Sequence, residues 1–279
     1  MSWGTNHDAS IAKLEQVQGS LTVGLIMVPR DNLLTCSPLQ TAAEIKKLNV
    51  NKYSSLPVRN VNGEYIGLYD AQRWFSKEAP NTPIEDDFQP LSEAILVGAD
   101  ASIFEFIKTA DRQPSSLVVS GNEISGLISI SDLQQLPVRA ALFALITSLE
   151  MAMALAMDIH WGSDADAWLS HLPDDQQKLL RKDARRAEKN DTFVSISVLT
   201  KFSHKICAIL KLPQFEHEAC AWSEVFDDLR KLRNCLAHAD RYADTPEKAK
   251  DVCRLAKEVF RVKELLSETV PVGKGADEA

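Results

Sequence analysis

The spacing of apolar positions changes near residue 136. Before that point short apolar runs alternate with amphipathic stretches, and after it apolar residues recur only at helical spacing. In the first half, runs at 21–28, 55–58, 65–69, 116–119 and 124–130 predict β-strands, and 39–48 and 101–110 predict amphipathic helices. Asn62-Gly63 falls between the second and third runs and Gly121-Asn122 between the last two, where a tight hairpin is expected. The second half predicts five helices, at 138–161, 174–190, 192–210, 214–238 and 246–268. Pro173, Pro213 and Pro246 stand at or just before helix starts, where a missing N–H costs little. Asp191 and Thr245 are candidate caps.

The first half repeats itself. Pro38-Leu-Gln-Thr-Ala-Ala, Leu56-Pro-Val and Tyr65-Ile-Gly-Leu are echoed by Ala99-Asp-Ala-Ser-Ile, Leu117-Val-Val and Ile124-Ser-Gly-Leu-Ile. Two such units can bury their sheets by pairing. The acidic, Pro-containing stretch 78–90 reads as the connector. The division expected is a segment at 1–16, an α/β domain at 17–136, an all-α domain at 137–270 and a disordered tail at 271–279.

Composition narrows the function classes. The chain of 279 residues carries a formal net charge of −8, which argues against unspecific coating of nucleic acid. The acid lies mostly in residues 1–136, with 16 Asp+Glu against 10 Lys+Arg; residues 137–279 are nearly balanced at 23 against 21. Five scattered cysteines and a polar start suggest reduced thiols and a cytoplasmic setting. The Ala- and Leu-rich run 140–157 could mimic a membrane span. Glu150 interrupts it and Arg139 and Asp158 close it, so a buried helix is expected and no membrane partner.

In Gly126-Leu-Ile-Ser-Ile-Ser-Asp132 a strand ends in Gly, two apolar residues and Ser-x-x-Asp opening a helix. With the repeat, this resembles the CBS family, named for cystathionine β-synthase, over residues 17–136. The resemblance implies a tandem CBS fold of βαββα repeats that binds an adenine nucleotide such as AMP, ADP or ATP as regulatory ligand. It further implies that Ser129 meets phosphate and Asp132 the ribose hydroxyls. A helix N-terminus suits an anion and a carboxylate suits a diol. The same two residues also suit a plain helix cap. Leu117 and Val118, with Leu56-Pro57-Val58, are candidates to flank the adenine. The first repeat departs from the pattern, since Asp70 stands in the phosphate position and Arg73 in the ribose position, so one nucleotide site is expected.

In the second half, Arg233-Asn234-Cys-Leu-Ala-His238 lies near the end of the fourth of five helices. This resembles the HEPN family over residues 138–270, whose members are typically dimeric, metal-independent endoribonucleases. The resemblance implies a helical bundle, an RNA substrate, catalysis without a cofactor, and 2′,3′-cyclic phosphate ends. It assigns His238 to proton transfer, Arg233 to the scissile phosphate and Asn234 to orientation. RNA supplies its own nucleophile, so a histidine and a permanent cation suffice. On one helix Arg233 and His238 would stand about 7.5 Å apart along the axis and about 140° apart around it, so a homodimeric site is expected. The helix at 140–157 is a candidate dimer surface or core helix. Where some members carry a tyrosine two residues past the histidine, this chain has Asp240, which removes any chemistry on that tyrosine.

Lys178, Arg181, Lys182, Arg185, Arg186 and Lys189 recur at helical spacing and could track an RNA backbone or be merely solvated. His204/Cys207 and His217/Cys220 have zinc-like spacing, which is also common by chance, so no metal is expected. No nucleophile elbow or P-loop occurs in the chain. The working expectation is a nucleotide-regulated ribonuclease, and the family analogy implies a stress or anti-phage toxin. The rivals are a non-catalytic regulator and a toxin or antitoxin subunit acting with a nucleotidyltransferase.

Overall fold

The computed structural model describes residues 16, 19–162, 165–189 and 196–269. The chain forms two compact units. One comprises Gly19–Arg139 and Ala243–Cys253; the other comprises the described residues of 140–242 and 254–269. The division falls inside a helix, and a short later segment returns to the first unit, which the sequence did not suggest.

The first unit holds seven strands: β1 (Val28–Pro29), β2 (Ser55–Arg59), β3 (Tyr65–Asp70), β4 (Gln89–Pro90), β5 (Leu96–Gly98), β6 (Ser115–Ser120) and β7 (Glu123–Ser129). They make a four-stranded sheet in the order β1-β7-β6-β5 and a three-stranded sheet in the order β2-β3-β4. Helix α1 (Ala42–Leu48) follows a capping box of Thr41 and Glu44, and α2 (Ile103–Ile107) is capped by Ser102.

The repeat is visible in the ladders. β2–β3 and β6–β7 are antiparallel hairpins, each with a register shift, after Val58 and after Val118. Their turns use Gly63 and Gly121, both at positive φ, where a side chain would be strained. Each hairpin is joined by a short strand from elsewhere in the chain, β4 beside β3 and β1 beside β7, and each time a proline opposes a glycine: Pro90 with Gly67, Pro29 with Gly126. A Cβ on Gly67 would come within 2.2 Å of the Gln89 carbonyl oxygen, and one on Gly126 within 2.5 Å of that of Val28. Only glycine lets the crossing strand lie so close. Leu68, Ile95, Leu117 and Leu127 form a core cluster that joins residues of both sheets. Tyr69, Leu56, Val58, Ile45 and Ile84 form a second cluster around α1.

Three expectations need correction. Residues 21–28 are not a strand: Thr22 makes an isolated bridge to Ser102, Val23–Leu25 is a 3-10 turn, and strand pairing begins only at Val28–Pro29. The turn forms because the Val23 and Gly24 N–H groups donate to the carbonyls of Ala101 and Ala99 instead of to a neighbouring strand. The stretch 78–90 is not a bare connector, since Ile84 is fully buried and β4 completes a sheet. β5 was absent from the expected strands, and it pairs parallel with β6.

The second unit is helical. It contains most of α3 (Leu136–Trp161), then α4 (Ala165–Leu169), α5 (Asp174–Lys189), α6 (Ile196–Leu199), α7 (Phe202–Ile209), α8 (Pro213–Glu216), α9 (Ala219–Ala237) and the later part of α10 (Pro246–Ser267). The expected helix at 192–210 is interrupted, and the one at 214–238 divides after Glu216. Asp191, the tail at 271–279 and most of 1–16 lie outside the described residues. α3 is long and apolar enough to cross a membrane by length and composition, yet more than half of its most apolar window is buried inside the protein. Leu142, Leu145, Ile146, Leu149, Met153 and Met157 are all buried, which is the behaviour of a core helix. Phe215, Trp222 and Phe226 pack together with ring centroids 5.3–6.3 Å apart, and Arg261 lies over the Trp222 ring.

Candidate functional site

The first unit contains a cleft of about 920 Å³ reached by both repeats. Equivalent ends of the two hairpins line it: Ser55, which pairs with Asp70, and Ser115, which pairs with Ser129. Strand β7 delivers Ser129 to its end, and the chain turns at once into the 3-10 helix Ile130–Gln134. The Asp132 carboxylate accepts from the Ser129 N–H at 2.7 Å, from Ser129 Oγ at 3.0 Å and from Gln135 Nε2 at 3.0 Å. Ser129 Oγ also lies 2.6 Å from Ser131 Oγ. Asp132 and Ser129 therefore form a capping box as well as a wall of the cleft. Burial pushes the Asp132 pKa up, against the bonds from Ser129 and Gln135, which pull it down.

Ser115 is the polar group here that the sequence reading missed. It is 3% exposed, and its Oγ has no hydrogen-bond partner among the described residues. A buried hydroxyl without a partner costs free energy unless something fills the role. The signal was present in Ser115-Ser116 opening an otherwise apolar strand, but the pairing with Ser129 only appears in the ladder.

Leu117 and Val118 do not flank this cleft. Both are 0% exposed, and Leu117 belongs to the core cluster shared by the sheets. Leu56 and Val58 are likewise buried in the core around α1. Val28, Leu68, Phe75, Phe88, Leu127 and Ile130 are among the apolar residues that line it instead. In the first repeat, Asp70 is exposed and accepts from the Gln72 N–H at 3.1 Å. Arg73 makes two bonds to the Asp87 carboxylate, at 2.7 and 2.8 Å, and lies over the Tyr69 ring.

In the helical unit α9 carries Arg233 and Asn234, and His238 forms its C-cap, after which Ala239 takes a left-handed conformation. Asn234 and His238 are exposed. Arg233, 38% exposed at its side chain, turns toward α3, where Nε donates to Glu150 Oε1 at 3.3 Å. Its Nη1 lies 3.5 Å from Asn234 Oδ1. The nearby carboxylates are taken by other cations, Asp227 by Arg230 and Asp228 by Lys231 and Arg254. A single chain thus places Arg233 and His238 near one helix end, with no bond between them among the described residues. Near Glu150 stands Lys205, a buried ammonium that no sequence pattern marked and that donates to the Thr200 carbonyl. Its pKa is lowered by burial, in part offset by Glu150.

Lys178, Arg181, Lys182, Arg185 and Arg186 line one shallow face of α5, and Arg181 pairs with Asp166 at 2.7 Å. Leu180 is buried on the opposite side, while Leu179 is exposed. Among the described residues no group of three or more His, Cys, Asp or Glu could hold a metal ion. His204 is buried whereas Cys207 and Cys220 are exposed.

No family model matches the chain, and no curated protein matches it. Solved structures do match its first half. The CBS domain of a bacterial CNNM/CorC family Mg2+ transporter in complex with ATP is similar at 16% identity and a TM-score of 0.38, covering 48% of this chain and 97% of that one. A hemolysin-like protein containing a CBS domain, from Oenococcus oeni PSU, is similar at 17% identity and a TM-score of 0.35, over 44% of this chain and 94% of that one. CBSX2 in complex with AMP is similar at 23% identity and a TM-score of 0.34, over 43% and 96%.

Proposed function

We propose that the chain is a cytoplasmic adenine-nucleotide sensor built on a CBS pair and joined to a HEPN-type endoribonuclease. The observation that carries the sensor reading is the cleft of about 920 Å³ in which Ser115, Ser129, Ser131 and Asp132 gather at the ends of one hairpin. Hydroxyls and a helix start suit phosphate, a carboxylate suits the ribose diol, and Val28, Leu68 and Leu127 suit an adenine face. Without ligand, Asp132 satisfies the helix start itself. A ribose would compete with Ser129 and Gln135 for the same oxygens, which makes the cap part of the response.

The ribonuclease reading rests on Arg233, Asn234 and His238 at one exposed helix end. Arg233 gives Nε to Glu150 and Nη1, at 3.5 Å, to Asn234, and the remaining donors of the guanidinium can take a phosphate. A second protomer would supply the partner histidine, and the basic face of α5 would follow the RNA backbone. The test is incubation of the purified chain with total RNA in EDTA, with and without AMP, ADP or ATP. The reading expects cleavage with 2′,3′-cyclic ends that disappears in His238→Ala and Arg233→Ala. No cleavage by the wild-type chain under any of these conditions would favour a nucleotide-responsive docking module, or a subunit acting with a nucleotidyltransferase.

A further inference from the structure

The cleft is not walled by the two repeats alone. The first turns of α10, which follow the helical motif in sequence and belong to the same compact unit as the repeats, contribute Pro246, Glu247 and Lys250 to its lining. Local chemistry fixes how they get there. Thr245 caps α10, accepting from the Lys248 N–H at 3.3 Å. Ala249, Val252 and Cys253 are buried, so Glu247 and Lys250, one helical turn apart, are left together on an exposed face.

The charge of the cleft gives that placement meaning. Five carboxylates line it (Asp70, Asp86, Asp87, Asp132 and Glu247) against three cations: Lys52, Arg73 and Lys250. The charge of Arg73 is offset by the two bonds its Nη groups make to the Asp87 carboxylate, although its Nε has no partner among the described residues. A phosphate entering a cleft with an excess of carboxylates needs a cation that is not already neutralised. The unpartnered, buried Ser115 Oγ is independent evidence that the cleft is built to receive a hydrogen-bonding ligand.

Resting on the nucleotide reading above, we infer that Lys250 of α10 is a phosphate-binding residue of this cleft. The repeats hold the ligand's base and sugar and offer hydroxyls to its phosphate, and Lys250 adds the cation from the helix that continues to Ser267. Adenosine and AMP then differ in what they touch: only the phosphorylated ligand engages α10. That gives the site a way to report phosphorylation state to a helix whose later part lies in the other unit.

The test is calorimetric titration of the full chain with AMP and with adenosine, for wild type, Lys250→Ala and Lys250→Arg. Lys250 is exposed, so neither substitution disturbs a core. The expected result is AMP binding weakened about tenfold or more in Lys250→Ala, partly restored in Lys250→Arg, with adenosine affinity unchanged within about twofold. Amide exchange in the segment 246–253 should slow with AMP and not with adenosine. If the wild type binds AMP and Lys250→Ala binds it equally well, or loses adenosine to the same extent, the assignment of Lys250 is overturned while the nucleotide reading survives. If the wild type binds neither ligand, both are overturned.

Discussion

Replacing Asp132 by alanine separates its two roles. The carboxylate receives three hydrogen bonds, but their loss is unequal. Ser129 Oγ keeps Ser131 Oγ at 2.6 Å, and Gln135 Nε2 keeps the Ile26 carbonyl at 2.7 Å. Only the Ser129 N–H loses its acceptor outright. Removing such a cap costs about 1 kcal/mol. Relief of a buried charge acts in the other direction, since burial raises the Asp132 pKa. The expected loss of stability is therefore small, roughly 1 kcal/mol, or about 2–4 °C in the melting temperature of a chain this size. The loss of ligand response should be large, because no other carboxylate stands at that helix start. Thermal melts of wild type and Asp132→Ala, each with and without AMP, check both parts. An AMP-induced rise of the same size in the variant would refute the argument that this carboxylate holds the ribose. A melting temperature lower by tens of degrees would refute the argument about the cap.

Gly126→Ala should destabilise the first unit by about 1–3 kcal/mol, read as a lower denaturant midpoint, because the new Cβ meets backbone that cannot move aside. Cys36, whose pKa burial pushes up to about 12, should resist alkylation in the native chain at pH 8, while exposed Cys220 reacts; early labelling of Cys36 would contradict the described core. Lys205 is held below its usual value of 10.5 by burial, so the folded chain binds fewer protons there than the unfolded chain in the window between its depressed pKa and 10.5. Its contribution to stability should rise with pH across that window, and Lys205→Met should remove that part of the slope in denaturant titrations at several pH values.

The two hairpins were legible because each combines an alternating apolar run with a glycine turn, and both signals are local. The short strands were not. β1, β4 and β5 have two or three residues each, and β1 pairs with a strand about a hundred positions further on, so their pattern is invisible until the hairpins exist. Leu117 and Val118 illustrate a second limit. An apolar pair beside a turn suits an adenine face and a sheet core equally, and the packing of Leu117 against Leu68 and Leu127 decides between them. The Ser129–Asp132 pair was legible as a motif, with both its readings, because its hydrogen bonds span three residues. Its complement Ser115 and the cation Lys250 come from distant stretches and needed the fold. In the same way Arg233 was legible as part of a motif, but its partner Glu150 lies 83 positions earlier in the chain, on a helix whose apolar character gave no hint of an ion pair.

The claim that an adenine nucleotide occupies the cleft between the repeats is tested most directly by photolabelling with 8-azidoadenosine monophosphate and mapping the modified peptides. The account predicts label on the strand ends and turns that line the cleft, around Ser54–Ser55, Leu68 or Ser129–Asp132, displaced by excess AMP. Displaceable label confined to residues outside that lining, or no displaceable label at all, would contradict it.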